Sequence, residues 1–535
     1  MQPQAHLLVL LIILIHKFTL AASKFSRSAN NCTAAAIATP KLPGSQIRSI
    51  IAAPVLNYDA KTKRIDFCNV TLTYTHTGWN DHVTVTVWLP LENWDSRLVG
   101  KGGGGWAARS NDTDLAVELV EGRAAVTSDA GHQWTNTQNA SDWALDSNNN
   151  VNIHLLQNFA SVSLNDAAII GKAVVKSFYK SEAKYSYWNG CSTGGRQGHM
   201  LAQRYPNAYD GILAGAPAIN YVSLAPAALW PLIVMSNEKT VPPRCVLETF
   251  VSAVISECDR LDGLIDGIIA APSRCKFNSS SLVGRAVTCD ELGNKTVTIT
   301  STHAGIVEKI WQGPQSKNGS FLWYGVERGT AMNGGFVNTK CNNSLQDCSI
   351  THYPAAKEWV RLWVLQKPDL DLTAVSYAQY EEIMALSRQR YQDIIATNSP
   401  DLSGFKAAGG KMITWHGMAD ARIFYQGTRE YYQRVEALDP NVREFYRYFE
   451  APGVDHCGNG VGPAPVNPLE AVIAWVENGT LPEILPAKGT DNRTQPLCPW
   501  PLVSAYQGGN KTVASSFACM SDFPASLARR SNARG

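Results

Sequence analysis

What this sequence lacks narrows it first. Past its opening residues no stretch approaches the roughly 18 consecutive apolar residues that a spanning helix needs, which argues against a helix anchored in a membrane. Neither sign of charge is in surplus: 47 Lys and Arg stand against 45 Asp and Glu, for a formal net charge of +2. A basic field for nucleic acid and an acidic field for cations are both excluded as the basis of function. The 535 residues contain no internal repeat and no low-complexity linker, so the length belongs to one large elaborated domain or a few ordinary ones. The twelve cysteines include no CxxC pair, which removes the usual zinc and dithiol motifs.

What is present points outward from the cell. An even number of cysteines suits disulfides formed in an oxidising compartment. The start, HLLVLLIILIHKFTLAAS, has an apolar run over residues 7–15 followed by Ala21, Ala22 and Ser23. That run is too short to span a bilayer and has the shape of a secretory signal over residues 1–22; a buried N-terminal helix is the competing reading. Eleven NxS/T sequons between Asn31 and Asn510 suit a glycoprotein surface. A secreted, extracellular protein is expected, without nucleic-acid or membrane partners.

Strand and helix patterns alternate. VTVTVWLP (Val83–Pro90) has the period-two pattern of a strand with one face buried. RLVGKGGGGWA and AAVTSDAG follow, then a helical pattern over residues 160–179, the strand YSYW, a helix in GGRQGHMLAQRYP ending near Pro206, and the buried strand GILAGAPA. This order predicts an α/β fold, a parallel sheet with helices on both faces. The next convincing strand is KMITWHG (Lys411–Gly417), more than two hundred residues beyond Ser192. A crossover needs only a few tens of residues, so an insertion over residues 221–404 is expected, and its place beside the strand ends predicts a lid over a cleft. Residues 23–220 and 405–535 then form the catalytic domain.

Two short stretches carry the chemistry. GCSTG at 190–194 matches GxSxG between a predicted strand and a predicted helix. In such an elbow the chain turns so sharply that Gly190 and Gly194 cannot carry side chains, and the turn aims the Ser192 hydroxyl into the cleft. A serine nucleophile needs a histidine base and an acid to orient it, in the chain order Ser, Asp, His of an α/β-hydrolase. His456 in GVDHCGNGVG follows every other sheet element; a loop histidine is ordinarily a solvated one, and its neighbour is what sets it apart. Cys191 precedes Ser192, and Cys457 follows His456. A disulfide between them would hold base and nucleophile together, because half-cystine Cα atoms lie about 4.4–6.8 Å apart.

Asp420 in TWHGMADARI stands just after a buried strand and is the chosen orienter; Asp455 is the rival, and His416 is either a support for the acid or a structural residue. Thr193 supplies one oxyanion donor through its N–H, and the run GKGGGGW supplies a second, with Gly104 as the candidate, unless that run is a flexible surface loop. In the insertion, CDRLDGLIDGII crowds Asp259, Asp262 and Asp266 into one glycine-broken loop. Calcium would neutralise it in a structural role, and an acidic turn without metal is the alternative.

GCSTGGRQG, HGMAD and PGVDHCGNG, in that order, resemble the fungal tannase and feruloyl esterase family, whose hallmark pairs Cys–Ser and His–Cys with an Asp. The resemblance runs from about residue 52 to the C-terminus. It implies an α/β-hydrolase core with a large inserted lid domain and a lid-borne Ca2+ site, with Asp259, Asp262 and Asp266 and the main-chain carbonyls of Leu264 and Ile268 as ligands. It also implies a disulfide between Cys258 and Cys275. Thr193 and Gln197 resemble the feruloyl esterase branch, since tannases tend to carry an acidic residue after the serine. The resemblance thus implies a feruloyl esterase acting on a small aromatic ester or a feruloylated plant polysaccharide, with tannase as the alternative. A non-catalytic, carbohydrate-binding secreted glycoprotein is the reading from another class.

Overall fold

The computed structural model describes residues 31–523 apart from 133, 134, 136 and 352. The expected signal over residues 1–22 lies outside the described residues. Eight strands precede the insertion: β1 Ser45–Asp59, β2 Arg64–His76, β3 Val83–Pro90, β4 Arg97–Gly104, β5 Ala107–Arg109, β6 Ala124–Ser128, β7 Tyr185–Cys191 and β8 Gly211–Gly215. Between Gly215 and Lys411 the described residues contribute no strand to this sheet. They form helices, among them Arg244–Cys258, Ser301–Gln312 and Tyr377–Ile395, and two small hairpins, β9 Ala286–Cys289 with β10 Lys295–Thr298 and β11 Thr339–Cys341 with β12 Cys348–Ile350. The sheet then resumes with β13 Lys411–Gly417 and β14 Tyr446–Ala451.

The strand order is β1-β2-β3-β6-β4-β7-β8-β13-β14, with β5 paired to β4. From β6 to β14 neighbouring strands run parallel. β1, β2 and β3 join antiparallel, and β3 meets β6 antiparallel, so the sheet is mixed where a parallel one was expected. β1 and β2 form a long two-stranded antiparallel ribbon at the edge of the sheet. β3 differs too: every residue but Thr84 is buried, because it lies between β2 and β6 and is covered on both faces.

β-Branched residues fill β3, aromatic ones dominate β7 and β14, and glycine stands where elements must touch. A Cβ on Gly211 would lie 2.6 Å from Val472, and one on Gly195 only 2.4 Å from the Gly215 carbonyl oxygen. The predicted helix over 160–179 is Val162–Tyr179, and Ile153–Ala160 is a separate helix before it, parted from it at Ser161. Arg196, fully buried, closes the earlier helix by donating to the carbonyls of Phe159 and Ala160 at 2.9 Å each, the favourable place for a cation at a helix C-terminus.

The insertion carries three disulfides, Cys245–Cys289, Cys258–Cys275 and Cys341–Cys348. Its apolar core is not sealed from the sheet domain. Trp359 and Trp363 pack in one cluster with Trp106, Trp143, Leu156 and Phe159, and Trp106 stacks on Trp363 at 4.4 Å between centroids. The insertion therefore rests directly on the residue that follows the glycine run.

Candidate active site

Ser192 sits between β7 and the helix Thr193–Arg204 with φ 64° and ψ −120°, a backbone region that costs a non-glycine residue energy and persists only when its surroundings fix it. They do fix it. The Ser192 N–H donates to the Gly215 carbonyl at 3.0 Å, and its own carbonyl accepts from Arg196 at 3.0 Å and Ala218 at 3.2 Å. A Cβ on Gly190 would fall 2.5 Å from the Gly194 carbonyl carbon, which is why the flanking positions of the turn are bare.

Cys191 and Cys457, 266 residues apart, form a disulfide with Cα atoms 6.0 Å apart. The structure thus brings the two sequence stretches together. The bond packs beside Trp415: a Cβ on Gly215 would lie 3.2 Å from Cys191 Sγ and 3.1 Å from the Trp415 ring. Cys457 adopts φ 57° and is exposed, whereas His456 beside it is buried.

His456 Nδ1 lies 2.8 Å from Asp420 Oδ2. A neutral ring that donates from Nδ1 keeps its lone pair on Nε2, the nitrogen required of a base. Asp420 is buried and uses both oxygens: Oδ1 accepts the N–H groups of Arg422 and Ile423 at 2.8 Å each, and Oδ2 takes His456 together with His416 Nε2 at 3.2 Å. Burial alone would raise this carboxyl. The imidazoles of His456 and His416, hydrogen-bonded to it, outweigh burial and hold it well below the usual carboxylate range.

The rival acid is placed elsewhere. Asp455 Oδ1 accepts the Ala421 N–H at 2.9 Å, fastening the acid loop to the histidine loop. His416 is a support: its Nε2 meets Asp420 and the Ile423 carbonyl, and its Nδ1 meets Thr428 Oγ1 at 2.9 Å. Another buried histidine, His199, faces Thr414 Oγ1 on the far side of the elbow helix, and burial pushes its imidazole down to about 3.

Thr193 is the first residue of the elbow helix, and first-turn N–H groups have no intrahelical acceptor. The glycine run is strand, not a flexible loop: Gly104 ends β4 and pairs with Ala107, and its Cβ position faces open space. Gly103 N–H is taken by Gln197 Oε1 at 3.0 Å. Gln197 was singled out in the sequence only by resemblance; its position four residues after Thr193, on the same helix face, was the available physical signal.

In the insertion, Asp259 and Asp262 are buried. Asp259 Oδ2 accepts from Gly267 at 2.9 Å, Asp262 from Leu264 at 2.9 Å and Ala270 at 3.0 Å, and Asp266 from Ile268 at 3.2 Å. Arg493 donates to Asp266 Oδ2 at 2.8 Å. Among the described residues no three acidic, His or Cys side chains converge as metal ligands; these carboxylates turn onto their own loop instead. Their chemistry nonetheless fits a hard cation. Burial, then the carboxylates of Asp266 and Asp259, pushes the Asp262 carboxyl up to about 7, a tension that a bound cation relieves. Ile268 of this loop touches the histidine loop, where a Cβ on Gly453 would lie 2.9 Å from it. The same junction borders a cleft of about 250 Å3 between Ile268, Glu327, Met418 and Asp455.

A serine held in a strained strand-to-helix turn, with acid and histidine following on later strands of one largely parallel sheet, defines the class as α/β-hydrolase. The sequence comparisons narrow it. The model of the tannase and feruloyl esterase family matches residues 68–520, and the chain belongs to that family. It is 40% identical over 537 residues to a protein of Arthroderma benhamiae named "Probable feruloyl esterase", covering 97% of this chain and 98% of that one. Tannin acyl hydrolase from Aspergillus niger superposes with a TM-score of 0.82 at 28% identity, over 91% of this chain and 95% of that one. Feruloyl esterase B from Aspergillus oryzae gives 0.78 at 25% identity, over 93% and 100%. The protein is a carboxylic ester hydrolase.

Proposed function

We propose that the protein is a secreted serine esterase that releases hydroxycinnamic acids such as ferulic acid from plant cell-wall polysaccharides through an acyl-enzyme. The observation that carries this reading is the Cys191–Cys457 bond, which ties the Ser192 elbow to a histidine backed by a buried acid. His456 Nε2 takes the hydroxyl proton as Ser192 Oγ attacks the ester carbonyl, and Asp420 stabilises the imidazolium that results. Thr193 N–H, with the end of the glycine strand at Gly104, receives the oxyanion. Collapse expels the sugar alkoxide, which takes the proton from His456 and leaves the acyl group on Ser192. Water, deprotonated by the same nitrogen, then releases the acid.

Residues 221–404 act as the lid over this site. Calcium held by Asp259, Asp262 and Asp266 with the carbonyls of Leu264 and Ile268 would supply structural charge neutralisation. Export through the signal at residues 1–22 agrees with six disulfides, with the sequons and with the absence, among the described residues, of a helix long and apolar enough to cross a membrane.

Thr193, where tannases tend to carry an acid, favours hydroxycinnamate over gallate. The superposition on tannin acyl hydrolase keeps galloyl esters as the second reading. Purified protein incubated with methyl ferulate and methyl gallate decides between them: release of ferulate, lost in Ser192→Ala, is expected, and efficient gallate release without ferulate release would reject it. Labelling of Ser192 by a fluorophosphonate separates an esterase from a silent carbohydrate binder.

A further inference from the structure

We infer that Gln197 is a positioning residue for the oxyanion site, the part that fixes the glycine strand onto the nucleophile helix. This rests on Ser192 being the nucleophile. Gln197 is fully buried within the elbow helix. Its amide uses both ends on one neighbouring segment: Oε1 accepts the Gly103 N–H at 3.0 Å, and Nε2 donates to the Ala108 carbonyl at 3.1 Å. One side chain therefore bridges the two arms of the β4–β5 hairpin whose tip is Gly104–Ala107. One turn earlier, Thr193 Oγ1 donates to the Gly105 carbonyl at 2.7 Å. The helix that carries Ser192 thus grips the hairpin at its tip and along both arms.

The packing shows why the grip is tight. A Cβ on Gly102 would lie 2.4 Å from Gly194 Cα and 2.8 Å from Gln197 Oε1, and one on Gly103 would lie 2.0 Å from the Ala107 carbonyl oxygen. Bare backbone lets the hairpin lie against the elbow, and bare backbone has no side chains with which to lock its own register. Gln197 supplies that lock from the helix. An oxyanion donor works because it is already in place when charge develops, so the hairpin's position relative to Ser192 bears on the transition state more than on the bound ester. Only a carboxamide has the donor and acceptor this hairpin requires at the same distance from the helix.

Three measurements on purified Gln197→Met and Gln197→Glu test this. In Gln197→Met, kcat on methyl ferulate is expected to fall roughly 10- to 100-fold, short of the roughly 100- to 1,000-fold that follows removal of a donor, with KM within about two-fold. The inhibition constant of an aryl boronic acid, which makes the tetrahedral adduct, should rise by the same factor as kcat falls, while that of ferulic acid stays put. In Gln197→Glu the Gly103 acceptor survives and the Ala108 donor returns only on protonation, so kcat relative to wild type should recover as pH falls. Unchanged kcat in Gln197→Met, or lost kcat with unchanged boronate affinity, would overturn the inference. Should Gln197→Met fail to fold, a pH-independent ratio in Gln197→Glu would overturn it equally. Failure of wild type to be labelled at Ser192 by a fluorophosphonate is a different result and removes the underlying reading instead.

Discussion

His456 Nδ1 and Asp420 Oδ2 lie 2.8 Å apart across 36 residues of sequence, and the same oxygen is held from its other side by His416 Nε2 at 3.2 Å. The acid is therefore anchored by four hydrogen bonds before substrate arrives, and held ionised by the two imidazoles around it. Asp420→Asn would present an amide that donates where Nδ1–H needs an acceptor, so the ring would turn to the wrong tautomer. A fall in kcat of about 10,000-fold with little change in KM is expected, the size seen when a triad acid is neutralised. His416→Phe, which removes one hydrogen bond to the charged acid, should cost roughly 10- to 100-fold, in line with about 1.5–3 kcal/mol for such a bond. Steady-state kinetics on methyl ferulate for both variants checks the ranking; equal losses would contradict it.

The clamp makes a prediction about reduction. Closing a loop of 266 residues restricts the unfolded chain by about 5 kcal/mol in the entropy model, an upper figure because native strain subtracts. Cys457 is exposed, so mild reductant reaches this bond before one whose sulfurs are buried, such as Cys32–Cys68. Cys191→Ala with Cys457→Ala should lower Tm and cut kcat by roughly 100-fold or more, since a displacement of about 1 Å between reacting groups suffices for that. Peptide mapping of partly reduced protein against residual activity measures it: activity should disappear with this bond and not with the others.

The proposed calcium site in the Asp259–Asp266 loop carries a pH-dependent test. The Asp262 carboxyl is raised from 3.8 to about 7 by burial first and by its neighbouring carboxylates second. A raised acid binds its proton more tightly in the folded chain than in the unfolded one, so ion-free protein loses stability as pH rises from 3.8 to about 7. A bound cation favours the carboxylate and removes this slope. Tm in EDTA should therefore drop across that window and recover on adding Ca2+, with the largest recovery near neutral pH. Identical Tm values with and without EDTA at every pH would contradict the site.

The core of this account was legible in the sequence because its signals are local. GCSTG between a strand and a helix needs only neighbours to be read, and KMITWHG appears as β13 with its expected ends. The clamp was legible because two cysteines each adjoined a candidate, a coincidence that needs no knowledge of the fold. What stayed hidden depends on contacts distant in sequence. Nothing in the residues around His416 says that it faces Asp420 and not the cleft, and only the folded hairpin shows Gln197 meeting Gly103 and Ala108. The edge strand β1 was hidden because it has no fully buried residue and its polar and apolar residues do not alternate cleanly, whereas VTLTY in β2 does alternate and was a legible signal.

The central claim is that Ser192 carries the acyl group during turnover. Mixing the enzyme with an excess of an activated ferulate ester, quenching in acid within the first turnovers and sequencing the peptides by mass spectrometry tests it most directly. A feruloyl adduct is expected on the peptide spanning residues 187–198, localised to Ser192 and absent in Ser192→Ala. Quenched wild-type enzyme that turns the ester over while this peptide stays unmodified, or that carries the acyl group on another residue, would contradict it.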